Sequence, residues 1–245
     1  MHPSVAVVGA TGAVGEIMRL VLAERRFPMR SIKFLASERS AGKTVEFNGK
    51  PHTVELIRPE AFVDVDIVLS STPASVSRDI SPIAAKAGAI VIDNSSAWRM
   101  DPQVPLVVPE VNPDALRVIP KGIVANPNCS TIQMVVALKP LHDLARIKRV
   151  VVSTYQASSG KGAKGVHELD AQIAAIGRGE KVPAVSCHAA QLADNVLPHD
   201  WKLGEDGYSE EETKMIHETR KIMGDDSILV SPTTVRVPVR VGHSE

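Results

Sequence analysis

Short apolar runs punctuate the first half of the chain: Val5-Ala-Val-Val8, Ile32-Lys-Phe-Leu-Ala36, Val65-Asp-Ile-Val-Leu-Ser70, Ala89-Ile-Val-Ile-Asp93 and Gly122-Ile-Val-Ala125. Each has strand length, and runs that are apolar on successive residues suit strands covered on both faces. Between them, apolar residues recur at helical spacing. Ile17, Met18, Val21 and Leu22 predict a helix after the first strand, 75–87 a second stopped by Gly88, and 132–144 a third. Strands alternating with helices predict a parallel, doubly wound α/β sheet with its ligand at the strands' carboxyl ends. Beyond the third helix the pattern changes. Residues 149–156 read as a strand running into Ala157-Ser-Ser-Gly-Lys-Gly162, and 165–176 as a helix followed by a looser stretch from Gly177. Ser209 is the expected cap of a helix whose apolar side carries Met215, Ile216, Ile222 and Met223. Residues 234–243 alternate strictly, with Val235, Val237, Val239 and Val241 on one face and Arg236 and Arg240 on the other. They predict one last strand, with Pro238 placing it at an edge. In that register His243 lies with the valines, opposite Arg236, and both reach one site only if the strand bulges or ends at Gly242.

Two stretches add chemistry. Gly9-Ala-Thr-Gly12-Ala-Val-Gly15 lies between the first strand and the first helix, the context a dinucleotide fingerprint requires and the mark of a Rossmann-type domain. Gly9 permits the tight turn, Gly12 lets backbone approach a pyrophosphate on the helix N-terminus, and Gly15 allows close helix–strand packing. A purely structural turn is the competing reading. After the second strand, Ser37, Arg39, Ser40 and Lys43 form a cationic, hydroxyl-rich loop that favours NADP over NAD, although Glu38 stands near the position where an acidic residue binds ribose. The second stretch is Asn126-Pro-Asn-Cys129-Ser-Thr131. Pro127 keeps Asn126 extended, Asn128 caps the third helix, and Cys129 falls in its first turn, where free N–H groups and the helix dipole stabilise a thiolate. A small residue packed beneath a sheet is the alternative reading for this cysteine. Arg99, in Asn94-Ser-Ser-Ala-Trp-Arg99, falls at another strand end. Glu211 and Lys214, three apart, are neighbours on one helix face and by themselves read as an exposed ion pair.

Composition narrows the class. The 245 residues are 44% hydrophobic and 23% charged, with zero formal net charge, so nothing points to nucleic acid or an acidic membrane surface. No apolar stretch is long enough to span a bilayer, and the start lacks the basic-then-apolar layout of a signal peptide. Cys129 and Cys187 are the two cysteines, which suits a reducing cytoplasm, and no metal-ligand spacing is present. A cytoplasmic enzyme is expected.

Taken together the motifs resemble the aspartate-β-semialdehyde dehydrogenase family. The glycine turn, Asp93-Asn-Ser-Ser-Ala-Trp-Arg99, the Cys129 motif, Tyr155-Gln-Ala-Ser-Ser-Gly160, Glu211-Glu-Thr-Lys214 and Arg236-Val-Pro-Val-Arg-Val-Gly-His243 occur in the family's order. The resemblance implies an NADP-binding domain over 1–128, followed by an α+β catalytic and dimerisation domain over 129–245. It implies NADPH-dependent reductive dephosphorylation of β-aspartyl phosphate to L-aspartate-β-semialdehyde, a step of lysine, threonine and methionine biosynthesis. Cys129 would attack the acyl phosphate to form a thioester, His243 would be the acid/base, and Gln156 would position the reacting centre. Arg99, Asn128 and Lys214 would bind phosphate, Arg236 the substrate carboxylate and Glu211 its ammonium group. Gly9, Thr11, Gly12, Ala13, Val14, Ser37, Arg39, Ser40, Ser159 and Gly160 would contact NADP, and the implied assembly is a homodimer. Chains of this family continue past the histidine segment, so the second domain is expected to be incomplete at Glu245, its sheet edge open and the isolated chain unstable or weakly active. Two other readings are an N-acetylglutamyl-phosphate reductase, which needs no group for a free ammonium, and a non-catalytic NADP-binding remnant.

Overall fold

The computed structural model describes residues 2–198 and 203–245. The chain divides into two compact units, Met1–Pro127 and Asn128–Glu245.

The first unit is a doubly wound α/β domain. Its elements are β1 (Ser4–Val8), α1 (Ala13–Glu24), β2 (Ser31–Ala36), β3 (Thr44–Phe47), β4 (Lys50–Thr53), β5 (Glu55–Leu56), β6 (Ile67–Ser70), α2 (Ala74–Lys86), β7 (Ile90–Asp93) and β8 (Ile123–Ala125). Six strands form one parallel sheet in the order β5-β2-β1-β6-β7-β8. The chain runs outward from β1 to one side and then, from β6, to the other, which opens the ligand crevice at the switch between them. β1 is buried at all five positions, as its unbroken apolar run requires. β6 starts at Ile67, two residues later than its apolar run, because the Val65 N–H turns back to the Phe62 carbonyl (3.3 Å).

The apolar-run reading passes over the β3–β4 hairpin. Its two-residue turn is Asn48-Gly49, both at positive φ (51° and 72°), the backbone a tight right-twisted hairpin needs. Val45 and Phe47 alternate with exposed Thr44 and Glu46, and the buried pair joins the cluster around Phe34 and Leu22. Phe47 lies 5.7 Å from Phe34 between ring centroids.

The second unit comprises α3 (Cys129–Ala145), β9 (Arg149–Gln156), α4 (Gly162–Gly177), β10 (Leu197–Pro198), α5 (Glu210–Met223), β11 (Leu229–Arg236) and β12 (His243–Ser244). Its sheet runs β10-β11-β9-β12, with β11 parallel to β9 and the outer strands antiparallel. Along β9, Val150, Val152, Thr154 and Gln156 are buried, whereas Arg149, Val151, Ser153 and Tyr155 are exposed. α5 packs on β11 and against α3. Its start carries the capping box, Ser209 and Glu212 bonding reciprocally, and its end is Gly224 in the left-handed region at φ 66°. Glu212 also accepts the Thr234 N–H (2.9 Å), which ties the cap to β11.

The single strand expected over 234–243 is corrected. β11 begins at Leu229 and ends at Arg236, and residues 237–242 cross over β9 to deliver β12 on its far side. Val237–Val241 therefore do not line a sheet face; Val239 and Val241 are exposed. Pro238 lies in the crossing segment and marks no edge, whereas Pro232 sits inside β11. Thr234, two residues on, points its N–H away from β9 to Glu212, so the missing N–H of Pro232 falls on that same outer side and removes nothing from the β9 ladder.

Candidate active site

In the first unit the glycine turn has little freedom. Gly9 has φ +81°, and a Cβ there would stand 2.3 Å from the Ser71 carbonyl oxygen. A Cβ on Gly15 would stand 2.3 Å from the Gly9 carbonyl oxygen and 2.9 Å from Ala10 Cα, so α1 rests directly on the turn. Gly12, the N-cap of α1, bears no capping side chain, which leaves the first N–H groups of the helix available to an anion. A pocket of about 390 Å³, ample for part of a dinucleotide, is lined by Gly9, Thr11, Gly12, Ser37, Arg39, Ser40 and Lys43 together with Ser71, Thr72 and Pro73 after β6 and Val76 of α2. Ala13 and Val14 lie in the first turn of α1 just beyond that lining.

Arg99 is buried at the far strand ends of the same unit. Its Nε donates to the Asn126 carbonyl (3.0 Å) and an Nη to the Asn94 carbonyl (3.2 Å). The Asn126 amide in turn donates to Asn94 Oδ1 (2.6 Å). Arg99 is thus a clamp between the loops after β7 and β8, held in one place where a guanidinium can meet an anion. Asp93 secures the first loop by accepting the Ser95 N–H (2.8 Å) and the Ser77 hydroxyl (2.5 Å).

The second unit gathers its groups along one rung of its sheet. Arg236 on β11, Gln156 on β9 and His243 on β12 are direct cross-strand partners. Directly paired residues present side chains to the same face, so the crossing segment places His243 beside Gln156 and Arg236 on one side, the outcome strict alternation would forbid. Gly242 makes the approach at φ +104°.

Above this rung stands the N-terminus of α3. Cys129 is its first residue and is exposed. Asn128 caps it: the side-chain oxygen accepts the N–H groups of Ser130 (3.0 Å) and Thr131 (3.5 Å). α5 holds Asn128 twice, because its amide donates to Glu211 Oε1 (2.8 Å) and its backbone N–H to Glu218 Oε2 (2.6 Å). Gln156 Nε2 reaches Ser130 Oγ (3.2 Å) and Glu211 Oε1 (3.4 Å), joining the rung to the helix mouth. Glu211 is 6% exposed, so it is not the surface ion-pair partner that spacing alone suggests. Lys214 bridges it at 3.7 Å and the exposed Glu210 at 2.7 Å. Ser159 and Gly160 form the turn after β9, where a Gly160 Cβ would stand 2.6 Å from Arg236 Nη1.

Glu218 is the principal residue the sequence reading overlooked. It is 1% exposed and lies between Met215 and Ile222 in the apolar stripe of α5. A carboxylate inside such a stripe is the available signal, since burying one demands a specific donor.

Comparison with known proteins bears on these groups. Residues 4–119 match the semialdehyde dehydrogenase NAD-binding domain family and residues 138–245 the semialdehyde dehydrogenase dimerisation domain family. An aspartate-semialdehyde dehydrogenase of Aquifex aeolicus is 56% identical over 243 residues, covering 98% of this chain and 72% of that protein. The chain belongs to the aspartate-semialdehyde dehydrogenase family. A solved structure, aspartate semialdehyde dehydrogenase II from Vibrio cholerae complexed with ASA, superposes with a TM-score of 0.94 at 48% identity, over 99% of this chain and 72% of that one. The Candida albicans aspartate semialdehyde dehydrogenase solved with NADP is 27% identical, with a TM-score of 0.74 over 99% of this chain and 70% of that one. Aspartate-semialdehyde dehydrogenases thus share both units with this chain.

Proposed function

We propose that this chain interconverts β-aspartyl phosphate and L-aspartate-β-semialdehyde with NADP and phosphate, through a thioester on Cys129. The observation that carries the reading is the Arg236–Gln156–His243 rung joined through Gln156 and Ser130 to the capped helix bearing Cys129. Cys129 attacks the acyl carbon and phosphate leaves, which divides one hard displacement into two steps. The helix N-terminus favours the thiolate that this step uses. The Ala157 N–H donates to His243 Nδ1 (3.1 Å), so the backbone occupies that nitrogen and leaves Nε2 as the atom that exchanges protons with sulphur and substrate oxygen. Gln156 Nε2 orients the carbonyl, Arg236 pairs with the substrate carboxylate through two parallel bonds, and Glu211 takes the ammonium group. Asn128 and Lys214 of the second unit, and Arg99 of the first, would be the phosphate ligands. When bound, NADPH supplies the reducing equivalent. Gly9, Thr11, Gly12, Ala13, Val14, Ser37, Arg39, Ser40, Ser159 and Gly160 would hold it; the uncapped α1 N-terminus suits its pyrophosphate, and Arg39 and Lys43 suit a ribose phosphate.

Buried Glu211, bonded to Asn128 and Gln156, separates this reading from an N-acetylglutamyl-phosphate reductase, whose substrate presents no free ammonium. A homodimer through the second unit is part of the proposal. The uncovered sheet face supports it, with Val151 77% and Tyr155 51% exposed. A cytoplasmic location accords with a chain that carries two cysteines and no disulfide framework, and none of the described helices is long and apolar enough to cross a membrane. The test is phosphate-dependent NADP reduction with L-aspartate-β-semialdehyde, run beside Cys129→Ser and with N-acetylglutamate semialdehyde as the competitor substrate. Turnover that needs phosphate and Cys129 is expected; preference for the acetylated substrate would refute the assignment.

A further inference from the structure

The turn after β9 secures several parts of the proposed substrate site at once. The Ala157 carbonyl accepts from Arg236 Nη1 (2.6 Å), and the Ala157 N–H donates to the Gly242 carbonyl (3.1 Å) while lying 3.1 Å from His243 Nδ1. The N–H groups of Ser158 and Ser159 hold the carbonyls of Val239 and Arg240 at 2.8 and 3.0 Å. A small shift of this turn therefore moves Arg236, the crossing segment and His243 together.

The turn is fixed from outside the site. Ser158, fully buried, places its Oγ 2.9 Å from His188 Nε2, which also lies 3.3 Å from the Gly165 carbonyl. A carbonyl only accepts, so Nε2 bears a proton. Burial pushes the His188 pKa below its ordinary value, outweighing the Gly165 carbonyl and the Glu168 charge. The ring is then neutral near pH 7 and Nε2–H is its tautomer. His188 lies within the irregular stretch between α4 and β10, and a helix carboxylate anchors it. Glu168 on α4 accepts the N–H groups of Ser186 (2.5 Å), Cys187 (2.7 Å) and His188 (2.9 Å) and the Ser186 hydroxyl (2.7 Å). Burial raises the Glu168 pKa, and these hydrogen bonds, led by that from His188, overcome it and hold the carboxyl at about 2.

A buried histidine that fastens a loop to a helix is the ordinary outcome of such bonds. Here the bond reaches past the helix to a side chain of the one turn whose backbone seats both Arg236 and His243. We infer that His188, anchored by Glu168, is a positioning residue that sets the placement of Arg236 and His243 through Ser158 and so governs capture of the substrate carboxylate. The inference rests on the proposed function.

The experiment uses the full chain with His188→Leu, His188→Gln and Ser158→Ala. Glutamine presents an N–H at nearly the reach of Nε2, whereas leucine keeps the volume and loses the donor. His188→Leu is expected to raise KM for L-aspartate-β-semialdehyde about tenfold, the equivalent of one lost buried hydrogen bond. Its kcat should fall about threefold or more because His243 moves with the turn, KM for NADP should rise less than KM for the semialdehyde because Ser159 and Gly160 share that turn, and the labelled fraction of Cys129 should stay unchanged. Ser158→Ala should follow His188→Leu, and His188→Gln should recover most of the loss. Amide hydrogen exchange over 155–161 should quicken in the leucine variant and not in the glutamine variant. An unchanged KM, or a fall in activity that tracks the labelled fraction, would overturn the inference, as would a glutamine variant no better than leucine. If the wild-type chain fails to turn over, the functional reading fails, and exchange over 155–161 still decides whether His188 holds the turn.

Discussion

Asn128 offers the sharpest test of how the nucleophile is held. Its side chain caps α3 through Ser130 and Thr131 and donates to Glu211. Asn128→Ala removes both functions but keeps the backbone bond to Glu218. Loss of an N-cap costs about 1 kcal/mol. Loss of a hydrogen bond to a carboxylate costs about 1.5 to 3 kcal/mol, and the lower end applies here because Gln156 and Lys214 still face Glu211. The sum, about 2.5 kcal/mol, is a large share of the roughly 5 to 15 kcal/mol that stabilises a typical domain. Asn128→Asp separates structure from electrostatics. Aspartate caps about as well as asparagine, so the helix should survive. The new charge faces Glu211 and lies one residue from the sulphur, where a like charge in a partly solvated site costs the thiolate roughly 1 to 2 kcal/mol, about tenfold in thiolate population. The assays are urea unfolding of both variants and the rate of Cys129 alkylation by a neutral reagent against pH, with peptide mapping to separate Cys187. An alanine variant destabilised by less than about 0.5 kcal/mol, or an aspartate variant alkylated as fast as wild type below pH 8, would refute the reasoning.

Three further outcomes follow from the geometry. Gly15→Ala sets a Cβ against the Gly9 carbonyl at 2.3 Å, so α1 must shift; NADP affinity measured by titration should fall at least about tenfold, with a stability loss of about 1 to 3 kcal/mol as for other overpacked sites. Arg236→Lys keeps the charge but gives up the planar fork and the bond to Ala157; KM for the semialdehyde should rise about 10- to 100-fold with a smaller change in KM for NADP. Glu168 has a folded pKa of about 2 against an ordinary 4.5, so its contribution is fully present above pH 4.5 and is lost as pH falls towards 2. Glu168→Gln should accordingly lower stability at neutral pH and flatten the unfolding free energy between pH 4.5 and 2, measured by denaturant titration at each pH.

Much of the first unit was legible because its signals are local. Fully buried parallel strands must be apolar on both faces, so β1 and β8 show as unbroken runs, and the turn that packs α1 onto β1 leaves no room for a side chain at Gly9 or Gly15. The cap at Asn128 and the capping box at Ser209 are equally local, since each bonds within one helical turn. The β3–β4 hairpin was written in Asn48-Gly49, yet its flanks are too polar to register as apolar runs.

The rest depends on pairing between distant segments. The period of 234–243 implied one strand, but partner strands decide where a strand ends, and β9 draws β12 to its far side so that Arg236, Gln156 and His243 share a rung. Spacing could show only that Glu211 and Lys214 are neighbours; the packing of α5 on α3 decided that Glu211 is buried against Asn128. Glu218 and His188 drew no notice in the sequence because their partners lie 90 and 30 residues away, at Asn128 and Ser158. The sequence by itself determined the nucleotide-binding architecture and the helix mouth holding Cys129, where each residue's partner is a few positions off. Only the tertiary structure decided which polar side chains converge there, because a buried charge is tolerated only where the fold brings it a donor.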